Sequence, residues 1–232
     1  MRSNIIVFGG NSDILQSIID HNSFSNHTFH LFCRSYNAKH TDKNINIISG
    51  KSFTNEDHQV ELLEYCNSLD NISHFIFSYG VLGDSALETH NIDMIISTNL
   101  YSKIRLASAL FNSEKFRNAH FTFFGSPAAD RPRKVNFIYG SSIKSMDFFL
   151  EGALLAYPHL KILNVKFGPI ETKLTSHLEN KFLFSHTNKI KSKLSFLISN
   201  QSCGTYYLPL MWKYIIFIVK LIPNFIFKRL NF

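Results

Sequence analysis

The chain has 232 residues, 45% of them hydrophobic, and carries a formal net charge of +7 at neutral pH. This length and apolar content suit a single α/β domain with a large core. The three cysteines, Cys33, Cys66 and Cys203, are far apart and lack metal-ligand spacing. They argue against a disulfide scaffold, predict no metal site and favour a reduced, cytoplasmic protein. The first residues show no signal-peptide pattern, so we expect no export signal.

The positive charge belongs to the last quarter of the chain. Residues 1–172 carry 15 Lys/Arg against 16 Asp/Glu, a net charge of −1, whereas residues 173–232 carry 9 against 1, a net charge of +8. Such a basic segment suits either nucleic acid or anionic lipid. Residues 210–232 are rich in aromatic and aliphatic side chains and contain no acid. We therefore favour lipid and predict no nucleic-acid partner.

A strand, a glycine turn and a helix open the chain. The apolar run Asn4–Phe8 predicts a buried parallel strand, and a helix-like segment begins near Gln16. Between them lies Gly9-Gly10-Asn-Ser-Asp-Ile. Glycines in such a turn allow the backbone to approach a pyrophosphate. Taken by itself, an ordinary strand-to-helix turn explains this stretch equally well.

Strand-like and helix-like segments alternate along the rest of the chain. The patterns predict strands at 28–33, 45–48, 74–78, 121–125, 162–165 and 206–209, and helices at 56–69, 92–111 and 139–157. The polar stretch between the second and third strands leaves space only for a small helix. This alternation predicts one doubly wound α/β domain with a mostly parallel sheet over residues 1–209. Residues 210–232 follow as a basic, apolar tail.

A serine and a tyrosine mark the stretch that carries the chemistry. Ser126 ends a strand-like run, and Tyr139 follows thirteen positions later at the start of a helix-like run. A free tyrosine titrates near pH 10, so a nearby ammonium is needed to stabilise its phenolate at neutral pH. Ser, Tyr and Lys together would form a proton-transfer site for a carbonyl and alcohol pair. A helix start with an exposed tyrosine is the alternative.

In this order and spacing the segments resemble the short-chain dehydrogenase/reductase family. Ser126 and Tyr139 match the family's Ser and Tyr-x-x-x-Lys motifs, and Asn99 matches an asparagine on the preceding long helix. The run 168–172, Gly-Pro-Ile-Glu-Thr, resembles the family's Pro-Gly-x-[Val/Ile]-x-Thr, and the turn at Gly9 resembles its glycine-rich loop. The resemblance extends from about residue 4 to 209.

The resemblance implies a role for each matching residue. Tyr139 would protonate the developing alkoxide, Ser126 would hydrogen-bond the carbonyl oxygen, and Asn99 would hold a relay water. Arg34, where NAD-preferring relatives have an acid, favours NADP(H) over NAD(H), with a solvated strand-end charge as the alternative. The implied cofactor-binding residues are Gly9, Gly10, Asn11, Ser12, Asp13, Ile14, Arg34, Ser78, Gly80, Tyr139, Ile170 and Thr172.

Two positions depart from the family pattern. Ile143 stands where the family has its lysine, and Lys144 comes one position later. Adjacent helix residues point about 100° apart, so Lys144 can replace that lysine only if the helix start shifts or bulges. We predict such a shift. Leu15 replaces a later glycine of the turn and would crowd the cofactor there.

The segment 130–133, Asp-Arg-Pro-Arg, looks closest to the family branch that reduces decaprenylphosphoryl-2-keto-ribose. This likeness implies a sugar or lipid-linked sugar substrate in polysaccharide or cell-envelope synthesis, and a protein at the inner face of the membrane. Lys213, Lys220 and Pro223 interrupt the apolar tail, so we predict an interfacial helix rather than a spanning one. A tail helix packed on the domain or on a dimer partner is the alternative. Relatives also lead us to expect a homo-oligomer.

A second hypothesis belongs to another class of function. A degenerate, non-catalytic relative would keep the fold and bind a nucleotide or a protein partner as a scaffold or regulator. Ile143 and Leu15, both expected to face the cofactor, support this hypothesis.

Overall fold

The computed structural model describes residues 2–36, 44–83, 91–176 and 183–229. Its strands form one parallel sheet in the spatial order β3-β2-β1-β4-β5-β6-β7. This confirms the predicted doubly wound α/β fold. The strands are β1 (Ser3–Phe8), β2 (His27–Phe32), β3 (Ile45–Ile48), β4 (Ile72–Phe77), β5 (His120–Gly125), β6 (Lys161–Phe167) and β7 (Gly204–Leu208).

Helices cover both faces of the sheet. In the described ranges they are α1 (Asp13–Ile19), α2 (Glu56–Ser68), α3 (Ile92–Ile96), α4 (Ser102–Phe111), α5 (Phe137–Ala156), α6 (Thr187–Ser199), α7 (Met211–Leu221) and α8 (Asn224–Phe227). A π-helical turn over Ser97–Tyr101 joins α3 to α4, so the predicted helix 92–111 is continuous but locally widened. The predicted small helix between β2 and β3 falls on residues 37–43, outside the described residues, as do tail residues 230–232.

The sheet has a core on each face, and the strand sequences alternate between them. In β1, Ile6 and Phe8 point into one core while Ile5 and Val7 point into the other. Both faces are covered by helices, so apolar residues occupy both sides of the inner strands and do not alternate with exposed polar ones. The first core is rich in phenylalanine, with ring pairs across neighbouring strands such as Phe77 and Phe123, whose centroids lie 4.5 Å apart.

Strand order determines where a ligand site can form. From β1 the chain builds the sheet outward through β2 to β3. It then returns to the other side of β1 and continues outward from β4 to β7, so the strand order reverses between β1 and β4. In open α/β sheets the crevice at the carboxyl ends of the strands at such a point is the usual ligand site.

The tail forms a helix with two different apolar faces. Trp212, Ile216 and Val219 of α7 are buried against the domain, which matches the packed alternative. Tyr214 and Phe217, on the other face, are 62% and 63% exposed. In the described part of the chain, no helix combines the length and apolar character needed to cross a bilayer.

Candidate active site

A cleft of about 1270 Å³ lies at the carboxyl ends of the strands. Its walls come from the turn after β1, the ends of β4 and β5, helix α4, the start of α5, the loop after β6, and α7. Small-molecule sites usually measure roughly 300–1000 Å³. The cleft therefore has space for more than one drug-sized molecule.

The glycine turn after β1 forms one end of the cleft. Gly9 has φ +107°, and a Cβ there would lie 2.6 Å from the Tyr79 backbone nitrogen, so only glycine fits. Ser12 caps α1 by accepting a hydrogen bond from the Leu15 amide. The turn thus presents a side-chain-poor surface that suits a dinucleotide. Of the six residues predicted here, Gly9, Asn11, Ser12, Asp13 and Ile14 line the cleft, whereas Gly10 packs against Leu31 instead.

Leu15 does not crowd the cleft. Its side chain is fully buried in the sheet core on the α1 side, with Ile18 and Val7. The expectation that Leu15 would obstruct a cofactor was wrong, because the first turn of α1 directs this side chain towards the sheet. This removes one of the two observations that supported a non-catalytic protein.

The end of the cleft near β2 and β3 is aromatic and cationic. Arg34 is exposed at its edge, and the ring of Phe53 stacks on that of Tyr79 with a centroid distance of 4.2 Å. Lys103 of α4 also lines the cleft, with its Nζ 5.1 Å from the Tyr79 ring centroid. Burial lowers the pKa of Lys103 to about 8. Lys103 lies one helical turn after Asn99, but no sequence motif marked it as a site residue.

Asn99 lies in the π-helical turn and is completely buried. Its Oδ1 accepts a hydrogen bond from the Val81 amide at 2.9 Å, and its Nδ2 donates to the Val81 carbonyl at 2.7 Å. The side chain therefore holds the loop that contains Gly80 against the helix. The turn is wider than a regular α-helical turn, and such turns are frequent at functional sites.

Ser126 and Tyr139 meet inside the cleft. Ser126 directly follows β5, and its Oγ accepts a hydrogen bond from the Ala128 amide at 3.2 Å. Tyr139 lies in the first turn of α5, lines the same cleft, and interacts through its hydroxyl with the Ser126 side chain. Burial raises the pKa of Tyr139, while Ser126 and the Arg133 guanidinium lower it, and the net pKa is above the ordinary value. At neutral pH this tyrosine is therefore a phenol with a proton to donate.

Arg133 is a site residue whose position the sequence did not reveal. It is partly buried, lines the same cleft and acts electrostatically on Tyr139. Burial lowers the pKa of Arg133 and the neighbouring Tyr139 raises it. Within the described ranges no carboxylate forms an ion pair with Arg133. The sequence contained a cation six positions before the tyrosine, but nothing in its spacing indicated the direction of the side chain.

Lys144 does not reach the site. Helix α5 is continuous from Phe137 to Ala156, and Lys144 is exposed on it, outside the residues that line the cleft. The side chain that lines the cleft beside Tyr139 is Ile143, which is only 4% exposed. The predicted helix shift is absent, because regular helix geometry keeps positions 139 and 143 on one face and turns position 144 away.

The loop after β6 closes the cleft over the glycine turn. Thr172 caps the short turn Lys173–Thr175, and the Lys173 amide donates to Asp13 Oδ2 at 2.6 Å. On the other side, Ser78 Oγ donates to the Gly9 carbonyl at 2.9 Å. The structure thus brings together the remaining predicted cofactor residues, all of which line the cleft: Ser78, Gly80, Ile170 and Thr172.

The tail contributes a wall of the cleft. Trp212 and Ile216 of α7 line it, and the Trp212 indole packs on the face of Gly168, where a Cβ would lie 2.1 Å from the ring. Gly168 therefore permits the close approach of the tail. The Trp212 Nε1 is buried and has no hydrogen-bond partner in the described part of the chain.

A buried charge cluster supports the loop after Ser126. The Lys166 ammonium lies 2.8 Å from carboxylate oxygens of both Asp130 and Asp147. Burial alone lowers the pKa of Lys166, but its hydrogen bonds to the two carboxylates more than offset this and raise the pKa overall. Tyr207 donates to Asp130 at 3.0 Å, and Lys220 of α7 lies 3.3 Å from it. The cluster joins the loop, α5, β6, β7 and the tail.

Comparison with known proteins identifies the fold. No protein-family model matches the chain. A short chain dehydrogenase from Burkholderia cenocepacia J2315 in complex with NADP has a TM-score of 0.78 at 13% identity, over 95% of this chain and 93% of that one. A short-chain dehydrogenase from Sphingobium yanoikuyae in complex with NADPH has a TM-score of 0.75 at 14% identity, over 96% and 97%.

A third structure belongs to the same fold. The 3-oxoacyl-[acyl-carrier protein] reductase from Brucella melitensis in complex with NAD has a TM-score of 0.73 at 13% identity, over 89% of this chain and 95% of that one. The chain therefore has the fold of the short-chain dehydrogenases and reductases over almost its whole length. Likeness at this level of identity establishes the fold and leaves the reaction to be argued from the site.

Proposed function

We propose that this protein is an NAD(P)(H)-dependent oxidoreductase of the short-chain dehydrogenase/reductase type that interconverts a ketone and an alcohol. The observation that carries the proposal is the meeting of the Ser126 and Tyr139 side chains inside the cleft. A phenol held by a serine hydroxyl is an arrangement for donating a proton to a developing alkoxide. The raised pKa of Tyr139 keeps this proton in place at neutral pH, so the residue is in the acid form that reduction of a carbonyl requires.

Each residue of the site has a defined task in this proposal. Ser126 orients the carbonyl oxygen, and Tyr139 transfers its proton to that oxygen as the alcohol forms. Asn99 fixes the loop at Val81 and holds a relay water. When bound, a reduced nicotinamide supplies the hydride that forms the new C–H bond. The phenolate left on Tyr139 is reprotonated from solvent through the relay.

The residues of the glycine turn and of the loop after β6 would hold the cofactor. Two observations support NADP(H) over NAD(H). Arg34 lies at the edge of the cleft after β2, where a 2′-phosphate would meet it. Two of the three structures described above contain NADP or NADPH.

Cofactor binding and turnover by the purified protein test the proposal. NADPH and NADH are titrated by fluorescence, and NADPH oxidation is then followed with a panel of keto-sugars and cyclic ketones. We expect tighter binding of NADPH, and a smaller preference in Arg34→Ala. Tyr139→Phe should keep NADPH binding and lose turnover by about 10²- to 10⁴-fold. Wild-type protein that binds neither nucleotide would show that the oxidoreductase proposal is wrong.

A non-catalytic scaffold or regulator is the second candidate. The observation that favours it is Ile143, which is buried at the edge of the cleft where the family has a lysine. NADPH binding without turnover of any ketone by the wild type, and identical behaviour of Tyr139→Phe, would favour this candidate over the enzyme.

The substrate in our proposal is a sugar or a lipid-linked sugar of polysaccharide or cell-envelope synthesis. The likeness of residues 130–133 to one branch of the family supports it. We further propose that the outer face of α7 and α8 contacts the inner face of an anionic membrane. Exposed Tyr214, Phe217 and Phe225, interspersed with basic residues, support this contact.

We also propose that the protein is a homo-oligomer paired through α4 and α5, as its relatives often are. Three large apolar side chains on or beside these helices support this arrangement. Tyr101 is 54% exposed, Phe148 is 74% exposed and Leu155 is 85% exposed. Burial of such side chains against a second copy would stabilise a dimer.

A further inference from the structure

The proposed reaction leaves a negative charge on Tyr139, and position 143 supplies nothing to stabilise it. Ile143 is apolar and buried, and Lys144 is exposed on another face of α5. A phenolate in a buried site is unfavourable unless a positive charge or hydrogen-bond donors lie near it. A catalytic Tyr139 therefore needs a cation from another part of the chain.

Arg133 is placed to provide that cation. It lines the same cleft as Tyr139, is partly buried, and interacts electrostatically with the tyrosine. No carboxylate among the described residues pairs with it, so none of them neutralises its charge. An arginine also keeps its charge at neutral pH, where the proposed reaction takes place.

Tertiary contacts anchor the start of the loop that carries Arg133, and helix α5 begins at its end. Asp130 is held by Lys166 at 2.8 Å and by Tyr207 at 3.0 Å. Arg131 donates to the Ile222 carbonyl at 2.9 Å and to Asn224 Oδ1 at 2.8 Å. With residues 130 and 131 anchored, and α5 beginning at Phe137, the intervening loop has little freedom. Arg133 is thus held at the cleft by β6, β7 and the tail rather than by α5.

We propose that Arg133 stabilises the phenolate of Tyr139 and replaces, from the loop after β5, the charge of the lysine that position 143 lacks. The inference rests on the proposed function and names a positioning residue for it. In the family pattern one lysine both bonds the cofactor ribose and assists the tyrosine. Here Arg133 performs only the second task, so proton transfer and cofactor affinity depend on different residues.

The test measures the ionisation of Tyr139 directly, without a substrate. Protein labelled with ¹³C at the tyrosine ring carbon that bears the hydroxyl is titrated by NMR over the alkaline range, and Tyr139→Phe assigns the signal. We expect Arg133→Ala to move the midpoint to higher pH and Arg133→Lys to move it less. A midpoint that lies one pH unit higher means about tenfold less phenolate at a given pH.

Turnover and cofactor binding complete the test. With a ketone that wild-type protein reduces, Arg133→Ala should lower kcat by about tenfold or more, while the dissociation constant of NADPH stays within about twofold. Adding Ile143→Lys to Arg133→Ala should restore part of kcat. Lys134→Ala, an exposed neighbour that does not line the cleft, is the matched control and should change nothing.

The inference and the proposed function fail in different ways. An unchanged Tyr139 midpoint in Arg133→Ala would overturn the role of Arg133, even if wild-type protein binds NADPH and reduces ketones. Loss of NADPH affinity together with kcat in Arg133→Ala would also overturn it, because it would make Arg133 a cofactor contact. Absence of nucleotide binding by wild-type protein would instead overturn the proposed function.

Discussion

Lys103 is a buried lysine in the wall of the cleft, and its burial affects both the candidate site and the stability of the fold. Its side chain is 3% exposed, contacts the Tyr79 ring and has no carboxylate partner among the residues that the structure describes. A buried ammonium without a counter-ion destabilises the folded state, since its charge loses the favourable hydration available in the unfolded chain. Such a residue at a cleft is a candidate for contact with an anionic ligand.

Replacing Lys103 by methionine should stabilise the protein at neutral pH. The folded-state pKa of about 8 is below the ordinary 10.5, so the charged form is disfavoured in the folded state. We expect Lys103→Met to be more stable by about 1–3 kcal/mol. The difference should shrink as pH rises from about 8 towards 10.5, because wild-type Lys103 becomes neutral there. Urea unfolding at several pH values measures it, and a pH-independent difference would contradict the explanation.

Three histidines lie side by side across the sheet and make its amino-terminal edge sensitive to acid. The His74 ring lies 6.1 Å from that of His27 and 5.4 Å from that of His120. Burial, followed by the neighbouring His120, lowers the pKa of His74 to about 4. The folded protein therefore keeps this ring neutral at pH values where the unfolded chain binds a proton.

The stability of the fold should fall between pH 6.5 and about 4. In this window the unfolded state binds more protons than the folded state at His74, so acid favours unfolding by up to about 1.4 kcal/mol per pH unit. His74→Gln should lose less stability than wild type over the same window. His159→Gln, at a partly exposed position, is the control. Parallel curves for wild type and His74→Gln in chemical unfolding would contradict this prediction.

The packing of helix α7 on the domain depends on one glycine and one indole ring. The Trp212 ring packs on Gly168, but its buried Nε1 lacks a partner in the described chain. An unsatisfied buried donor costs about 1–3 kcal/mol. The apolar surface that the Trp212 ring buries stabilises the docked tail, while the unpaired N–H group of the same ring opposes docking.

Two substitutions at Trp212 separate these contributions. Trp212→Phe keeps an aromatic ring and removes the unpartnered donor, so its free energy of unfolding should stay within about 1 kcal/mol of wild type. Trp212→Ala should lose about 3 kcal/mol or more, because it leaves a cavity under α7. Circular dichroism follows the unfolding, since Trp212 is the single tryptophan of the chain. Equal losses in both variants would refute the assigned cost of the N–H group.

Charge and exposed apolar area are distributed unevenly over the whole molecule. The tail carries Lys213, Lys220, Lys228 and Arg229 and no acid. Its outer face exposes a row of large apolar side chains, Leu210, Met211, Tyr214, Phe217, Ile218, Leu221, Phe225 and Ile226. In the proposed membrane contact, the basic residues would meet anionic headgroups while the apolar ones would enter the interface.

Vesicle binding tests the proposed membrane contact of the whole protein. The chain should co-sediment with vesicles that contain phosphatidylserine and bind much less to neutral phosphatidylcholine vesicles. Phe217→Glu should weaken this binding by about tenfold or more, because a buried charge at the interface is unfavourable. Phe196→Glu makes the same change at an exposed site of α6 and should have no effect. A tail-dependent dimer without vesicle binding would point to a second copy as the occupant.

The sequence was informative wherever a property depends on neighbouring residues. Short continuous apolar runs predicted the strands, and the spacing of Ser126 from Tyr139 predicted that strand end and helix start would meet. Where the structure differs from the prediction, the outcome depends on the packing of elements that are distant in sequence. Leu15 was assigned to the cleft because its motif position was read without the direction of its side chain, which the packing of α1 on the sheet determines.

By itself, then, the sequence determined the doubly wound sheet, the glycine turn, the spacing of the serine and the tyrosine, and the basic apolar character of the tail, because each is encoded by local patterns and composition. Only the tertiary structure decided which cation accompanies Tyr139. That choice depends on contacts such as Asp130 with Lys166 and Arg131 with Asn224, which join residues 36 and 93 positions apart. Local patterns cannot specify the direction of a loop held by such distant partners.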